Sequence, residues 1–352
     1  MTVHPQVHPG QAALVAKLAG RGLITPPWQE IRHHIPREHW LPEQVWVQRA
    51  DRCEPVADAD ARYRLIYSDS PVVTQVDDGR PGGPGVATSS NSMPSMAATM
   101  LGPLDPYDGM TVLEIGTATG DTASKLSLRV GDQNVTSVEI DESLALQARD
   151  NLARVGLAPA VRITDGEAGW APGAPYDRIL ATCALPTVAP ALLRHLRPGG
   201  LLVAPLVRDF APGLLARFTK DATTGTATGT FHGSASYMPM RSHRSTASAT
   251  VDGTTPRHFH DLAAFPGLLE DITVPGFALY AGERLPGVHM TRRGPGEDAQ
   301  VHLWDGAGAG VWAEDGWAAV YGTGRDLWTE LLAVWQEYAA AGRPTRGGRT
   351  SA

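Results

Sequence analysis

Residues 110–121 constrain this chain more than any other stretch. Val112, Leu113 and Ile115 form a short apolar run between Asp108-Gly109 and Gly116, and Asp121-Thr122 opens a helical pattern. The expected geometry is a buried strand, a tight turn and a helix. Gly116 and Gly120 let the backbone turn sharply and approach a ligand closely. Glu114 is expected at the carboxyl end of the strand, facing whatever the turn holds.

The glycine spacing separates two cofactor classes. A dinucleotide fingerprint requires Gly-x-Gly-x-x-Gly, whereas Gly116-Thr117-Ala118-Thr119-Gly120 is followed by Asp121-Thr122, with no third glycine in register. An acidic residue beside the loop repels a pyrophosphate but attracts a sulfonium centre and an amino-acid head group. S-adenosyl-L-methionine therefore fits better than NAD, with S-adenosyl-L-homocysteine as the product. Two further strand ends extend the pattern. Residues 135–138 lead to Glu139, placed to accept ribose hydroxyls, and residues 162–164 lead to Asp165-Gly166, whose carboxylate can meet an adenine edge.

Strands and helices alternate from here: helices over 122–130, 142–155 and 190–196, strands over 175–182 and 201–205, with Arg197-Pro198-Gly199-Gly200 as a helix stop. Such alternation predicts an α/β fold, a Rossmann-like parallel sheet wrapped by helices. Antiparallel strands over 214–219 and 226–238 follow, around Thr223-Thr224-Gly225. Cys183 is expected to be a small residue at a strand end, not a nucleophile.

Four segments are expected: an N-terminal helical and substrate-loop segment (1–105), the cofactor-binding core with its closing strands (106–244), a C-terminal α+β region (245–345) and a tail (346–352). In the first, residues 11–22 carry Leu14, Val15 and Leu18 at helical spacing, and Gly79 to Gly85 is too rich in glycine and proline for regular structure. The hydroxyl-rich run Thr88 to Met96 precedes a helix beginning near Pro94. Its hydroxyls and free N–H groups suit either carboxylate binding or helix capping. In the third segment, residues 245–255 read as a linker and 261–271 as a helix. Residues 301–304, 310–312 and 317–320 read as short strands. A last helix over 325–341 carries a core stripe of Trp328, Leu331, Leu332, Trp335 and Tyr338.

A net charge of −7, with no lysine-arginine cluster interleaved with aromatics, argues against nucleic acid as a partner. Two cysteines, Cys53 and Cys183, suit a reducing compartment, and the histidines near 33–39 and 258–260 lack the partners of a metal site. No signal-like start and no run of ~20 apolar residues is present, so the expectation is a cytoplasmic protein that does not enter a membrane.

Taken together, several motifs resemble the protein-L-isoaspartate (D-aspartate) O-methyltransferases over about residues 23–241. They are Ile35-Pro36-Arg37-Glu38-His39-Trp40-Leu41-Pro42, Tyr67-x-Asp69-x-Pro71, Ser90-Asn91-Ser92-Met93-Pro94, Leu113-Glu114-Ile115-Gly116, Asp165-Gly166, Pro175-Tyr176-Asp177, Arg197-Pro198-Gly199-Gly200 and Ser236-Tyr237-Met238-Pro239-Met240. The resemblance implies a class I S-adenosylmethionine-dependent fold, with Glu114, Gly116, Thr117, Ala118, Gly120, Glu139, Ile140, Asp165 and Gly166 as cofactor-binding residues. It implies Ser92 as the active-site hydroxyl, Ser90, Asn91, Ser95 and Tyr237 as substrate-binding residues, and no metal.

Two departures bear on the substrate. Ser95 stands where the family usually has histidine, and residues 83–87 lack its glutamine-threonine lead-in; Ala118 also replaces a usual glycine. With the long region after Arg241, the chain resembles the actinobacterial branch encoded with graspetide or lanthipeptide pathways. That implies methylation of an L-aspartate in a modified precursor peptide, the ester then closing to aspartimide and, on hydrolysis, isoaspartate. Repair of isoaspartyl proteins is the alternative, and a non-catalytic partner in a maturation complex is a third reading.

Overall fold

The computed structural model describes residues 8–49, 52–244, 251–253, 255–272, 274–293 and 299–343. It begins with helices α1 (Pro9–Gly20) and α2 (Pro26–His34), followed by strands β1 (Trp46–Gln48) and β2 (Cys53–Pro55), helix α3 (Ala59–Ile66), strands β3 (Val72–Val76) and β4 (Ala87–Asn91), and helix α4 (Pro94–Leu104). The four strands form an antiparallel sheet in the order β2-β1-β3-β4. The helical reading of this segment was thus incomplete. The hydroxyl run 88–91 lies in β4, and the cap position of α4 is Met93, which makes no side-chain capping bond. A carboxylate does meet this helix start, but it is internal: the Ser95 N–H donates to Asp69 Oδ1 at 2.8 Å.

The core follows as β5 (Val112–Ile115), α5 (Asp121–Val130), β6 (Val135–Glu139), α6 (Glu142–Ala153), β7 (Ala160–Ile163), β8 (Tyr176–Ala181), α7 (Pro190–His195), β9 (Leu196–Arg208), β10 (Ala211–Lys220) and β11 (Ala227–Ser234). Its seven strands run in the order β11-β10-β9-β8-β5-β6-β7. From β9 to β7 the pairs are parallel, and the β10 hairpin partners are antiparallel. Val112, Leu113 and Ile115 are buried to 2% exposure or less because helices cover both faces of this central strand. The chain leaves β5 toward β6 and β7, then returns to β8 and β9 on the other side. That reversal opens a crevice at the carboxyl ends of β5 and its neighbours, where ligands bind in such sheets. Helix α7 ends at His195, just before Arg197-Pro198-Gly199-Gly200, which lies within β9 with Gly199 at φ 74°.

The C-terminal region contains β12 (His258–Asp261), α8 (Leu268–Ile272), α9 (Pro275–Arg284), β13 (His289–Arg293), β14 (Gln300–Trp304), β15 (Gly310–Glu314), β16 (Trp317–Tyr321) and α10 (Leu327–Ala340). Its antiparallel sheet has the order β12-β16-β15-β14-β13. The three expected strands and the last helix are present. The single helix expected over 261–271 is instead the end of β12, a short 3-10 turn and α8, while α9, β12 and β13 were unforeseen. The expected tail and residues 245–250 and 254 of the expected linker lie outside the described residues.

Leu327, Trp328, Leu331, Val334 and Tyr338 of α10 are buried against this sheet, and His260 stacks on Trp328 at 5.3 Å. The lobe is not separate from the core. Phe210, from the β9–β10 turn, is fully buried in the lobe's own cluster, 6.0 Å from the ring of Phe277. The Met290 N–H also bonds to the Asp209 carbonyl at 3.1 Å. Among the described residues no helix is long and apolar enough to cross a membrane.

Phe210 is therefore the apolar peg that couples lobe and core. Phe210→Ala should cost about 3–5 kcal/mol, and calorimetry should show one unfolding transition becoming two as the lobe melts first.

Candidate active site

A cavity of about 640 Å³ opens at the carboxyl ends of β5, β6 and β7. It lies within the size range of small-molecule sites, roughly 300–1,000 Å³. One wall is the glycine loop after β5 with Glu139, Ile140, Asp165 and Gly166. The opposite wall is β4 with Ser92 and Met93, and the strap Ser236 to Arg244 crosses above. The strap is extended to Met240 with one bridge, Pro239 to Ala184, and then a 3-10 turn, Arg241–His243, while β11 ends at Ser234, short of the strand expected to 238.

The loop takes its shape from three left-handed residues, Gly116 (φ 96°), Ala118 (φ 46°) and Gly120 (φ 89°). A side chain at Gly116 would also lie 2.8 Å from Thr182 Oγ1, so that position is closed on two counts. Gly120 serves packing: an added Cβ would meet Leu152 and the Ala148 carbonyl of α6, not the cavity. Likewise Gly166 admits Ile115 Cγ2, which an added Cβ would strike.

Glu139 ties the loop to β6. Its Oε2 accepts the Ala118 N–H at 2.9 Å, and its Oε1 accepts the N–H groups of Ile140 and Asp141 at 3.0 and 3.1 Å. Burial pushes this carboxyl up, and the three N–H donors pull it back toward the ionised form. Of about four acceptor positions on a carboxylate, three are used, leaving one on Oε2 for a ligand hydroxyl. Ile140 on the same wall is 40% exposed, an apolar surface that a bound ring would cover. Asp165 keeps one carboxylate oxygen on the Glu167 N–H at 2.9 Å. These residues fit S-adenosylmethionine: an acceptor for a ribose hydroxyl, an apolar ledge for adenine and a second acid at the next strand end.

Glu114 is placed differently from the sequence expectation. It is fully buried, off the cavity, and its Oε2 accepts the Ser137 hydroxyl at 2.6 Å, while Ser137 Oγ lies 2.6 Å from Thr117 Oγ1. The physical reason is its position on a central strand, where register sets Glu114 beside Ser137 of β6, under the loop. Burial pushes its carboxyl up to about 8, so near neutral pH it carries a proton and does not attract a cation as a charge would. Thr117, Ala118, Glu139, Ile140, Asp165 and Gly166 do line the cavity, as do Ser90, Asn91, Ser92 and Tyr237. Ser95 does not; its side chain is buried beside Asp69. Cys183 lines the cavity as a thiol, pushed up to about 12 by burial.

The N-terminal segment supplies residues that sequence reasoning did not single out. Buried Arg37 donates from Nε to Asn91 Oδ1 at 2.7 Å and from Nη2 to the carbonyls of Ser92 and Ser70 at 3.0 and 2.9 Å. Asn91 in turn donates to Asp121 Oδ2 at 2.9 Å, and Asp121 pairs with Lys125. The Asn91 amide is thereby committed to holding β4 on the glycine loop. Ser92 is left with its hydroxyl toward the cavity, facing Tyr237. The Tyr237 phenol is pushed up to about 12 by burial, against the opposing pull of the nearby Ser92 hydroxyl, so it keeps its proton and can donate. At the mouth, Arg241 pairs with Asp141 at 2.9 Å and Arg244 with Asp78 at 2.7 Å, pinning the strap to α6 and to the β3–β4 turn.

The comparisons with known proteins agree with this geometry. The family model for "Protein-L-isoaspartate(D-aspartate) O-methyltransferase" matches residues 11–245 of the 352. A protein-L-isoaspartate O-methyltransferase 1 of Rhodopseudomonas palustris is 32% identical over 205 residues, covering 58% of this chain and 71% of that protein. A protein-L-isoaspartate O-methyltransferase of Methanopyrus kandleri is 38% identical over 148 residues, covering 41% of this chain and 64% of that one. Among solved structures, a protein-L-isoaspartate O-methyltransferase superposes with a TM-score of 0.56 at 20% identity, covering 94% of this chain and 92% of its own. A Plasmodium falciparum structure described as a putative member in complex with S-adenosyl-L-homocysteine gives 0.51 at 14% identity, covering 66% and 99%. The first superposition takes in most of the C-terminal region, so that region belongs to the shared fold.

Glu114 gives a pH test. Its folded value, about 8, lies above its ordinary value, so its own contribution to stability is full below about 4.5 and is lost as pH rises through about 8. In cofactor-free protein, Glu114→Gln should melt higher than the parent at pH 8.5 and close to it at pH 5. The chain belongs to the protein-L-isoaspartate (D-aspartate) O-methyltransferase family and is an S-adenosylmethionine-dependent O-methyltransferase.

Proposed function

We propose that the chain methylates the carboxylate of an aspartyl-derived residue, L-isoaspartyl before L-aspartyl, in a peptide laid across the cavity mouth. The observation that carries this is the pair of hydroxyls, Ser92 and Tyr237, facing each other on the cavity wall opposite Glu139 and Asp165. When bound, S-adenosylmethionine supplies an electrophilic methyl group and leaves as S-adenosylhomocysteine.

A carboxylate of ordinary pKa, about 3.9, is ionised at neutral pH, so its oxygen needs no general base. The residues have only to position it. Tyr237 keeps its proton and can donate to the carboxylate, and the Ser92 hydroxyl can donate beside it. Two neutral donors orient the nucleophile without taking its electron pair, and alignment supplies much of the rate. Arg37 fixes the Ser92 carbonyl and, through Asn91, the strand that carries it.

A precursor peptide carrying an L-aspartate, whose methyl ester closes to aspartimide, is the second reading. One observation favours it: Ala87, the last residue of the stretch that departs from the family's usual lead-in, lines the cavity wall. Ser95 gives it no support, because that residue is turned away from the cavity.

Methyl transfer from labelled cofactor to an isoaspartyl peptide, to its L-aspartyl counterpart and to a cyclised aspartyl precursor separates the readings. Preference for the first supports the leading assignment, and preference for the third replaces it with the second. Ser92→Ala and Tyr237→Phe should each lower kcat by about 10- to 100-fold with cofactor affinity kept. Unchanged turnover in both would remove the positioning role.

A further inference from the structure

A second void, of about 20 Å³, shares Ser92 and Asp121 with the main cavity. Its wall carries three cations, Arg32, Arg37 and Lys125, each 8% exposed or less, and one carboxylate, Asp121. Asp121 is already taken up by Lys125 and Asn91. The neighbouring acid, Asp69, pairs with Arg21 at 2.7 Å and accepts the Ser95 N–H. Arg37 is dispersed over several carbonyls and Asn91, but Arg32 is poorly served. Its Nη2 reaches the Pro94 carbonyl at 3.4 Å, and its buried Nε has no partner among the described residues.

A buried cation so weakly matched is costly unless an anion comes within range. The opposite wall of the cavity holds Glu139 and Asp165, so the cavity is acidic on the donor side and has surplus positive charge behind Ser92. A cationic methyl donor and an anionic acceptor match that polarity. We infer that Arg32, backed by Arg37 and Lys125, supplies the positive field that draws the acceptor carboxylate to Ser92, making Arg32 a positioning residue that selects acids over amides. The inference rests on the carboxyl-methylation reading and deepens it, since it names the charge of the acceptor and the residue that reads it.

The test uses the full chain saturated with S-adenosylhomocysteine. The probes are a short isoaspartyl peptide, its L-aspartyl counterpart and the carboxamide analogue of each, with binding followed by calorimetry. The parent protein should bind at least one acid about 10-fold or more above its amide. Arg32→Gln should remove that preference by weakening the acid alone, leaving amide and S-adenosylhomocysteine affinities unchanged; Arg32→Lys should keep it. If Arg32→Gln does not fold, Lys125→Met should lower the acid preference in the same sense. An intact preference in the neutral variant, or equal binding of acid and amide by the parent, overturns the inference. A parent that selects the acid yet transfers no methyl to it would overturn the proposed function and leave the charge assignment standing.

Discussion

The Glu139 carboxylate is the knot on which this structure depends. It joins the loop after β5 to the end of β6 by accepting one N–H from Ala118 and two from the turn into α6. That bond holds Ala118 left-handed, a conformation costing a non-glycine residue about 1–2 kcal/mol. Without an acceptor there, the loop amide would be unpaired and the turn would have no reason to keep its shape. Because the same carboxylate lines the cavity, the group that shapes the turn is also placed to accept from a ligand there.

Around that knot the molecule is assembled from distant pieces. The N-terminal segment contributes Arg37, from the 3-10 turn after α2, which holds the end of β4 and, through Asn91 and Asp121, the start of α5. The strap 236–244 contributes Tyr237 from beyond β11, and its arginines close on Asp78 and Asp141. The cavity is thus walled by three chain segments, and the doubly wound sheet supplies only the cofactor wall. Placing acids on that wall and buried cations behind Ser92 divides the site into two halves of opposite charge.

How much was legible in sequence follows from how local each signal is. β5, β6, α5 and α6 were readable because an apolar run, a glycine turn and a helical period lie within thirty residues of one another. β4 was not, since Thr88-Ser89-Ser90-Asn91 has the composition of a loop and forms a strand only because β3 offers it an edge. Glu114 was correctly placed on its strand but given the wrong outlook. A residue number does not tell whether the carboxylate points at the ligand or beneath the loop. Arg32 and Arg37 gave no signal of spacing at all, because their partners near 91–125 are neighbours only after folding. The motif holding Arg37 was visible, but with Arg37-Glu38-His39 in succession it did not tell which of the three is buried. The C-terminal residues were read only as scattered short strands and a helix, because the sheet order that makes them one lobe is set by contacts distant in sequence.

The central claim is that the Glu139 end of β6 holds the cofactor, and titration calorimetry with S-adenosyl-L-homocysteine tests it most directly. The account predicts measurable binding to the full chain and a loss of about 10-fold or more in Glu139→Gln, whose amide NH2 replaces one of the two oxygens that accept backbone N–H groups. No binding to the parent, or undiminished affinity in the variant, would contradict it.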